Sequence, residues 1–79
     1  MFEPKTKTVE IEGQRLTMRQ LSLGEANEIP EQADMAELIA MSWVEPSGVT
    51  PTDVRKWPMS IVTQLYEVCV ELNGLSEGN

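Results

Sequence analysis

The feature that most constrains the fold is a long amphipathic segment near the carboxyl end, residues 57–75, with the sequence WPMSIVTQLYEVCVELNGL. It is the longest stretch in which apolar residues recur with helical spacing. Pro58 suits the first turn of a helix, where a backbone N–H is not needed, and Gly74 suits the left-handed position that ends a helix. The segment therefore predicts a helix over residues 58–73, against which the rest of the chain packs.

The faces of this helix differ in polarity because successive residues advance by about 100° around its axis. One apolar stripe, which we expect to be fully buried in the monomer, contains Ile61, Leu65, Val68 and Leu72. An adjoining apolar stripe contains Val62, Tyr66, Cys69 and Val70. Together the stripes cover more of the helix than a core-facing helix needs. Either a hairpin and another helix cover the second stripe, or part of it contacts another protein chain.

Several large side chains are therefore candidates for contact with another chain. Tryptophan and tyrosine often contribute most to the binding energy of protein interfaces. In so short a chain the tryptophans can equally belong to the core, and both interpretations stay open. The predicted interface residues are Trp57, Val62, Tyr66, Trp43 and Leu75.

Residues 8–20 predict a β-hairpin, because apolar and polar residues alternate on both sides of Gly13. A two-residue loop that begins at Gly13 suits a type II′ turn, and it places Ile11 opposite Leu16. This register puts four apolar side chains on one face of the hairpin, namely Val9, Ile11, Leu16 and Met18. A two-stranded hairpin is not stable alone, so that face must cover helices or a partner.

Three shorter helices are predicted between the hairpin and the last helix, over residues 23–29, 32–44 and 51–56. Ser22 and Glu25 have the spacing of a capping box, and Pro30 limits the helix that follows. Thr50 is the expected N-cap of the third of these helices, with Pro51 at its first position. The expected fold class is α+β and mostly helical, with an N-terminal hairpin followed by three to four helices.

The length of 79 residues predicts a single domain, residues 1–79, with flexible ends at 1–7 and 76–79. No apolar run reaches the roughly 20 residues of a membrane span, and the first residues lack the apolar core of a signal peptide. We therefore expect an intracellular protein.

Composition and charge argue against several classes of function. The chain has 13 acidic and 6 basic residues, a net charge of −7, which disfavours binding to nucleic-acid phosphates and anionic membranes. It has no histidine, and the single Cys69 excludes an internal disulfide. Glu67 and Glu71 are four residues apart, but their polar surroundings indicate a solvated helix face. We predict no enzyme activity and no catalytic, cofactor-binding or metal-binding residue.

Two segments resemble a known family. They are VEIEGQRLTMRQLSLGEANEI, residues 9–29, and TPTDVRKWPMSIVTQLYEVCVELNGL, residues 50–75. The order of strand, glycine turn, second strand and capped helix, followed later by a capped turn and a helix that begins at proline, is similar to that of the small tail assembly chaperones of long-tailed bacteriophages and prophages. Together the segments span more than half of the chain.

The resemblance implies a protein that acts in the host bacterial cytoplasm during virion assembly. Such chaperones bind the long, hydrophobic tape measure protein, keep it soluble and help recruit tail tube subunits. They tend to self-associate, and the family has no catalytic residues. The tape measure and tail tube proteins are thus the partners that the resemblance implies.

Two other classes of function are compatible with the residues. The net charge of −7 would suit an acidic inhibitor that mimics DNA or blocks a host enzyme. The size would also suit another small virion-assembly adaptor, such as a head-tail joining protein. The dispersed carboxylates argue against the DNA mimic, because such proteins usually present their charges in a regular array.

Overall fold

The protein is described by a computed structural model that covers residues 2–74. Its elements in chain order are β1 (Thr6–Ile11), β2 (Gln14–Arg19), α1 (Leu23–Asn27), α2 (Met35–Ser42), β3 (Trp43–Glu45), α3 (Pro51–Arg55) and α4 (Met59–Leu72). Helices account for 44% and strands for 21% of the structure. The α+β class is confirmed, but "mostly helical" overstates the helical share, because helices hold less than half of the residues.

The hairpin forms with the predicted faces but in a different register. Its turn is Glu12–Gly13, with φ values of 51° and 82°, and positive φ at both central residues is the signature of a type I′ turn. Ile11 therefore pairs with Gln14, not with Leu16. The predicted register is wrong by two residues, but a shift of two keeps each side chain on its face. The apolar residues of both strands still point toward the helices.

A third strand that the sequence pattern did not predict extends the hairpin. Strand β3 pairs antiparallel with β2, with Trp43 opposite Met18 and Glu45 opposite Thr17. The predicted helix over 32–44 is consequently shorter and ends at Ser42. The helical spacing of residues 32–44 could not show this change, because the edge of β2 that recruits Trp43 is far away in sequence.

The other helices agree with prediction to within two residues at each end. Both N-terminal caps form: the side chain of Ser22 accepts a hydrogen bond from the Glu25 amide, and that of Thr50 accepts one from the Asp53 amide. Gly74 has a φ of +70° and donates its N–H to the carbonyl of Glu71, as expected at a helix end. The predicted interface residue Leu75 and the tail 76–79 lie outside the described residues.

The core lies between the sheet and the helices. Helix α4 contacts β1, β2 and α2, and α2 contacts α3. The most deeply buried side chains come from four different elements: Met18, Ile39, Val54 and Leu65. Each of these elements therefore depends on the others for its burial, which is the usual source of cooperative stability in a small domain.

Burial along α4 corrects the predicted stripes. The buried residues are Val62, Leu65 and Cys69, whereas Ile61, Val68 and Leu72 are half-buried. Full burial of the first stripe is therefore confirmed only at Leu65. The reason is that α4 packs against the sheet and α2 together, so the centre of its apolar arc lies deepest and both margins are partly open.

Candidate functional site: an apolar cleft between three helices

An open cleft lies where α1, α2 and α4 meet, with a volume of about 280 Å³. Its walls are predominantly apolar. The side chains that give this character are Leu21, Ala26, Ile29, Leu38, Tyr66 and Val70. A concave, mostly apolar surface with a few polar groups is the usual form of a binding site for a small molecule or a side chain.

The first wall, α1, is positioned by an ion pair. Arg19 donates from Nη1 and Nη2 to the two carboxylate oxygens of Glu25, at 2.8 and 2.6 Å. The Ser22 amide also donates to Glu25, at 2.9 Å. The bonds from Arg19, and next those from the Ser22 amide, lower the pKa of Glu25 to about 2. Because Arg19 also donates to the Met41 carbonyl at 3.3 Å, the same guanidinium connects β2, α1 and the end of α2.

The end of α4 is connected to the chain segment that precedes α1. Gln20 donates from its side-chain amide to the Leu72 carbonyl at 2.7 Å, and the Leu21 amide donates to Asn73 Oδ1 at 3.0 Å. Asn73 in turn donates from Nδ2 to the Cys69 carbonyl at 2.8 Å. These bonds span more than fifty positions of sequence. They hold two walls of the cleft at a fixed separation without filling the space between them.

Two small polar side chains, Ser42 and Cys69, lie in the walls of the cleft. Ser42 is fully buried, and its Oγ has no hydrogen-bond partner among residues 2–74. The Cys69 thiol makes only a long contact of 4.0 Å with the Leu38 carbonyl. Burial raises the pKa of this thiol, and the Ser42 hydroxyl offsets the effect only in part. The thiol is therefore a poor nucleophile, and the buried hydroxyl is the unusual feature of the cleft.

The predicted interface residues do not form one surface. Tyr66 lines the cleft and is half-buried. Trp43 and Trp57 contact each other elsewhere, with ring centres 5.4 Å apart, and Trp43 donates from Nε1 to the Pro46 carbonyl at 2.6 Å. Both tryptophans are half-buried. Val62 is only 7% exposed, so its prediction as an interface residue is wrong: it belongs to the core.

Sequence reasoning missed most of the cleft. Ser42 lay in a predicted helix and gave no signal, because its burial depends on α4, which is distant in sequence. Leu21 and Ala26 were also missed, since neither belongs to an apolar stripe long enough to detect. A signal was available at Leu23, an apolar residue at the first position of a capped helix, which is 80% exposed beside the cleft.

The cleft has an acidic and apolar rim. Glu28 and Glu31 are exposed on either side of Ile29 in the chain, and neither forms an ion pair with any residue that the structure describes. None of the basic side chains of residues 2–74 lines the cleft. The arrangement therefore suits an apolar group that is flanked by positive charge.

Two further searches concern residues 2–74. Within this range no cluster of three or more possible ligand residues is placed to hold a metal ion. Of the helices in the same range, none combines the length and the apolar character needed to cross a membrane. Comparison of the chain with protein-family models, curated proteins and solved structures gives no match.

Proposed function

We propose that the protein is a tail assembly chaperone of a long-tailed bacteriophage or prophage, which acts in the host cytoplasm. It binds the tape measure protein and helps recruit tail tube subunits during virion assembly. The observation that supports this proposal most directly is the composition of the cleft. Both segments that resemble the family contribute to it: residues 9–29 supply Leu21, Ala26 and Ile29, and residues 50–75 supply Tyr66 and Val70.

The physical fit is that of an amphipathic helix against an apolar groove. Such a helix buries its apolar side chains in the groove and leaves its polar face in water. Lysine or arginine residues beside its apolar face would lie near Glu28 and Glu31, which have no ion-pair partner within residues 2–74. The net charge of −7 would keep a complex with a hydrophobic protein soluble, and several copies along one tape measure protein would shield it from aggregation.

The test is co-expression with the candidate tape measure protein, followed by affinity capture and measurement of its soluble fraction. The informative variant is Leu23→Glu. Leu23 is 80% exposed, and a carboxylate in the first turn of a helix is favourable, so the variant should fold. Loss of a buried leucine contact of about 1.5–3 kcal/mol predicts a loss of binding of about tenfold or more.

The matched control is Gln64→Glu, which adds the same charge to an exposed position of α4 outside the cleft. It should capture the tape measure protein as well as the wild type does. If the wild-type chain recovers no tape measure protein while circular dichroism shows that it is folded, the proposed function is wrong. If both variants lose binding equally, the cleft is not the binding surface.

Two experiments separate the alternative functions. An acidic inhibitor that mimics DNA would compete with duplex DNA for a nuclease or repressor. The ion pairs of Arg55 with Asp34 and Glu37 and of Lys7 with Glu71 already neutralise part of the acidic surface. A head-tail joining protein would be present in purified virions, whereas a chaperone would be absent from them.

A further inference from the structure

The buried hydroxyl of Ser42 is the one polar side-chain atom of residues 2–74 that is closed off from solvent and has no hydrogen-bond partner. Such a group is unfavourable, because it has lost its bonds to water without gaining others. Ser42 lies in the wall of an apolar cleft that is open at one side. A ligand with a polar atom at the end of an apolar body would satisfy the hydroxyl, which can both donate and accept.

The other walls favour an aromatic body. The ring of Tyr66 is half-buried in the cleft, and aromatic rings pack favourably in offset or edge-to-face pairs. The Cys69 sulfur lies in the same lining, and sulfur makes favourable contacts with aromatic rings. The volume of about 280 Å³ accepts one or two rings but not an extended chain. The acidic rim at Glu28 and Glu31 adds a preference for neighbouring positive charge.

From these observations we infer that the cleft binds a tyrosine or tryptophan side chain that a partner helix presents beside lysine or arginine, and that the polar atom of its ring pairs with the Ser42 hydroxyl. The identity of the partner as the tape measure protein rests on the proposed function. The preference for a ring with a polar atom rests only on the cleft. Leucine or phenylalanine would fill the space but leave the hydroxyl without a partner.

The preference can be measured with two probes that differ by one hydroxyl, N-acetyl-tyrosinamide and N-acetyl-phenylalaninamide. Each is titrated into the full chain, and binding is followed by the amide chemical shifts of Ala26, Tyr66 and Val70 in NMR spectra. One additional hydrogen bond predicts that the tyrosine probe binds about 2- to 10-fold more tightly than the phenylalanine probe. Equal affinity of the two probes, or preference for phenylalanine, would overturn the inference.

The decisive variant is Ser42→Ala, which removes the hydroxyl without breaking a hydrogen bond of the folded chain. It should bring the ratio of the two affinities close to one. Ser60→Ala, at an exposed position of α4 outside the cleft, should leave the ratio unchanged. If the alanine variant does not fold, Ser42→Cys keeps the shape and replaces the hydroxyl by a weak hydrogen-bonding group, with the same expected loss of preference. A ratio that persists in the folded variant would contradict the role of Ser42.

Two further outcomes distinguish this inference from the proposed function. If p-cresol binds in the cleft but neither amide probe does, the cleft takes a free small molecule, and the inference of a partner side chain is wrong. If the tyrosine preference is observed but no tape measure protein is captured, the cleft preference stands and the proposed function fails.

Discussion

The burial of α4 can be tested with one substitution made at two positions, Val62→Ala and Val68→Ala. The periodicity of the sequence predicts that Val68 is buried and Val62 available for contact, whereas the structure buries Val62 at 7% exposure and leaves Val68 half-buried. Both residues lie in the interior of the same helix. The gain in helix propensity on replacing valine by alanine is therefore the same at both sites and cancels in the comparison.

The expected magnitudes follow from the buried area. Replacing valine by alanine removes two methyl-sized groups, each worth about 0.8 kcal/mol when fully buried. At Val62 the lost transfer energy and the remaining cavity together predict a destabilisation of about 2 kcal/mol. At the half-buried Val68 about half of the transfer term applies and water can enter the space, which predicts roughly 0.8 kcal/mol. For a domain of this size each kcal/mol lowers Tm by about 4–8 °C.

The assay is equilibrium urea unfolding of the wild type and both variants, followed by far-UV circular dichroism and by tryptophan fluorescence. Agreement of the two signals tests two-state behaviour, and an unchanged dependence on urea shows that the denatured state is unaltered. Val62→Ala should be less stable than Val68→Ala by about 1 kcal/mol, as the preceding burial terms require. If Val68→Ala is the more damaging change, α4 is rotated toward the orientation that its sequence suggests, and the assignment of the core is wrong.

Three other predictions follow from single features of the structure. Glu25→Gln should lower Tm near neutral pH, because it removes the carboxylate that binds Arg19; since the pKa of Glu25 is lowered to about 2, this stabilisation is present above the ordinary value of 4.5 and is lost as the pH falls through about 2, so the Tm difference from wild type should disappear there. Glu12→Asn should raise the free energy of unfolding by about 0.5–1 kcal/mol, and Gly13→Ala should lower it by about 1–2 kcal/mol, because both positions need positive φ; opposite results in urea unfolding would contradict the type I′ turn. Cys69 should react with a thiol reagent at least about tenfold more slowly in the folded than in the unfolded chain, because burial raises its pKa and blocks access, and fast labelling of the folded protein would show that the cleft opens further.

The elements that the sequence predicted well are those whose signals are local. The capping box of Ser22 and Glu25 and the cap at Thr50 each satisfy backbone donors within three residues, so the start of each helix is encoded where it occurs. The predicted faces of the hairpin are confirmed for the same reason, because alternation has a period of two. The register was not predicted, since Glu12 adopts positive φ, and a glutamate gives no sign of that conformation.

The elements that were missed depend on residues far apart in the chain. Strand β3 forms because β2 offers an edge to Trp43, and this interaction prevails over the helical pattern that precedes it. In the cleft, sequence reasoning identified Tyr66 as a surface residue. It gave no indication of Ser42, whose hydroxyl is isolated only because α1, α2 and α4 close around it.

The long helix at the carboxyl end shows where the two sources of information divide. Its sequence by itself determined that residues 59–72 form an amphipathic helix with a wide apolar arc, because periodicity and end signals are properties of the segment. Only the tertiary structure decided which part of that arc is buried. The sheet and α2 cover its centre, around Val62 and Leu65, and leave Tyr66 at the margin, in the wall of an open cleft, because burial is set by the surfaces that meet and not by the helix alone.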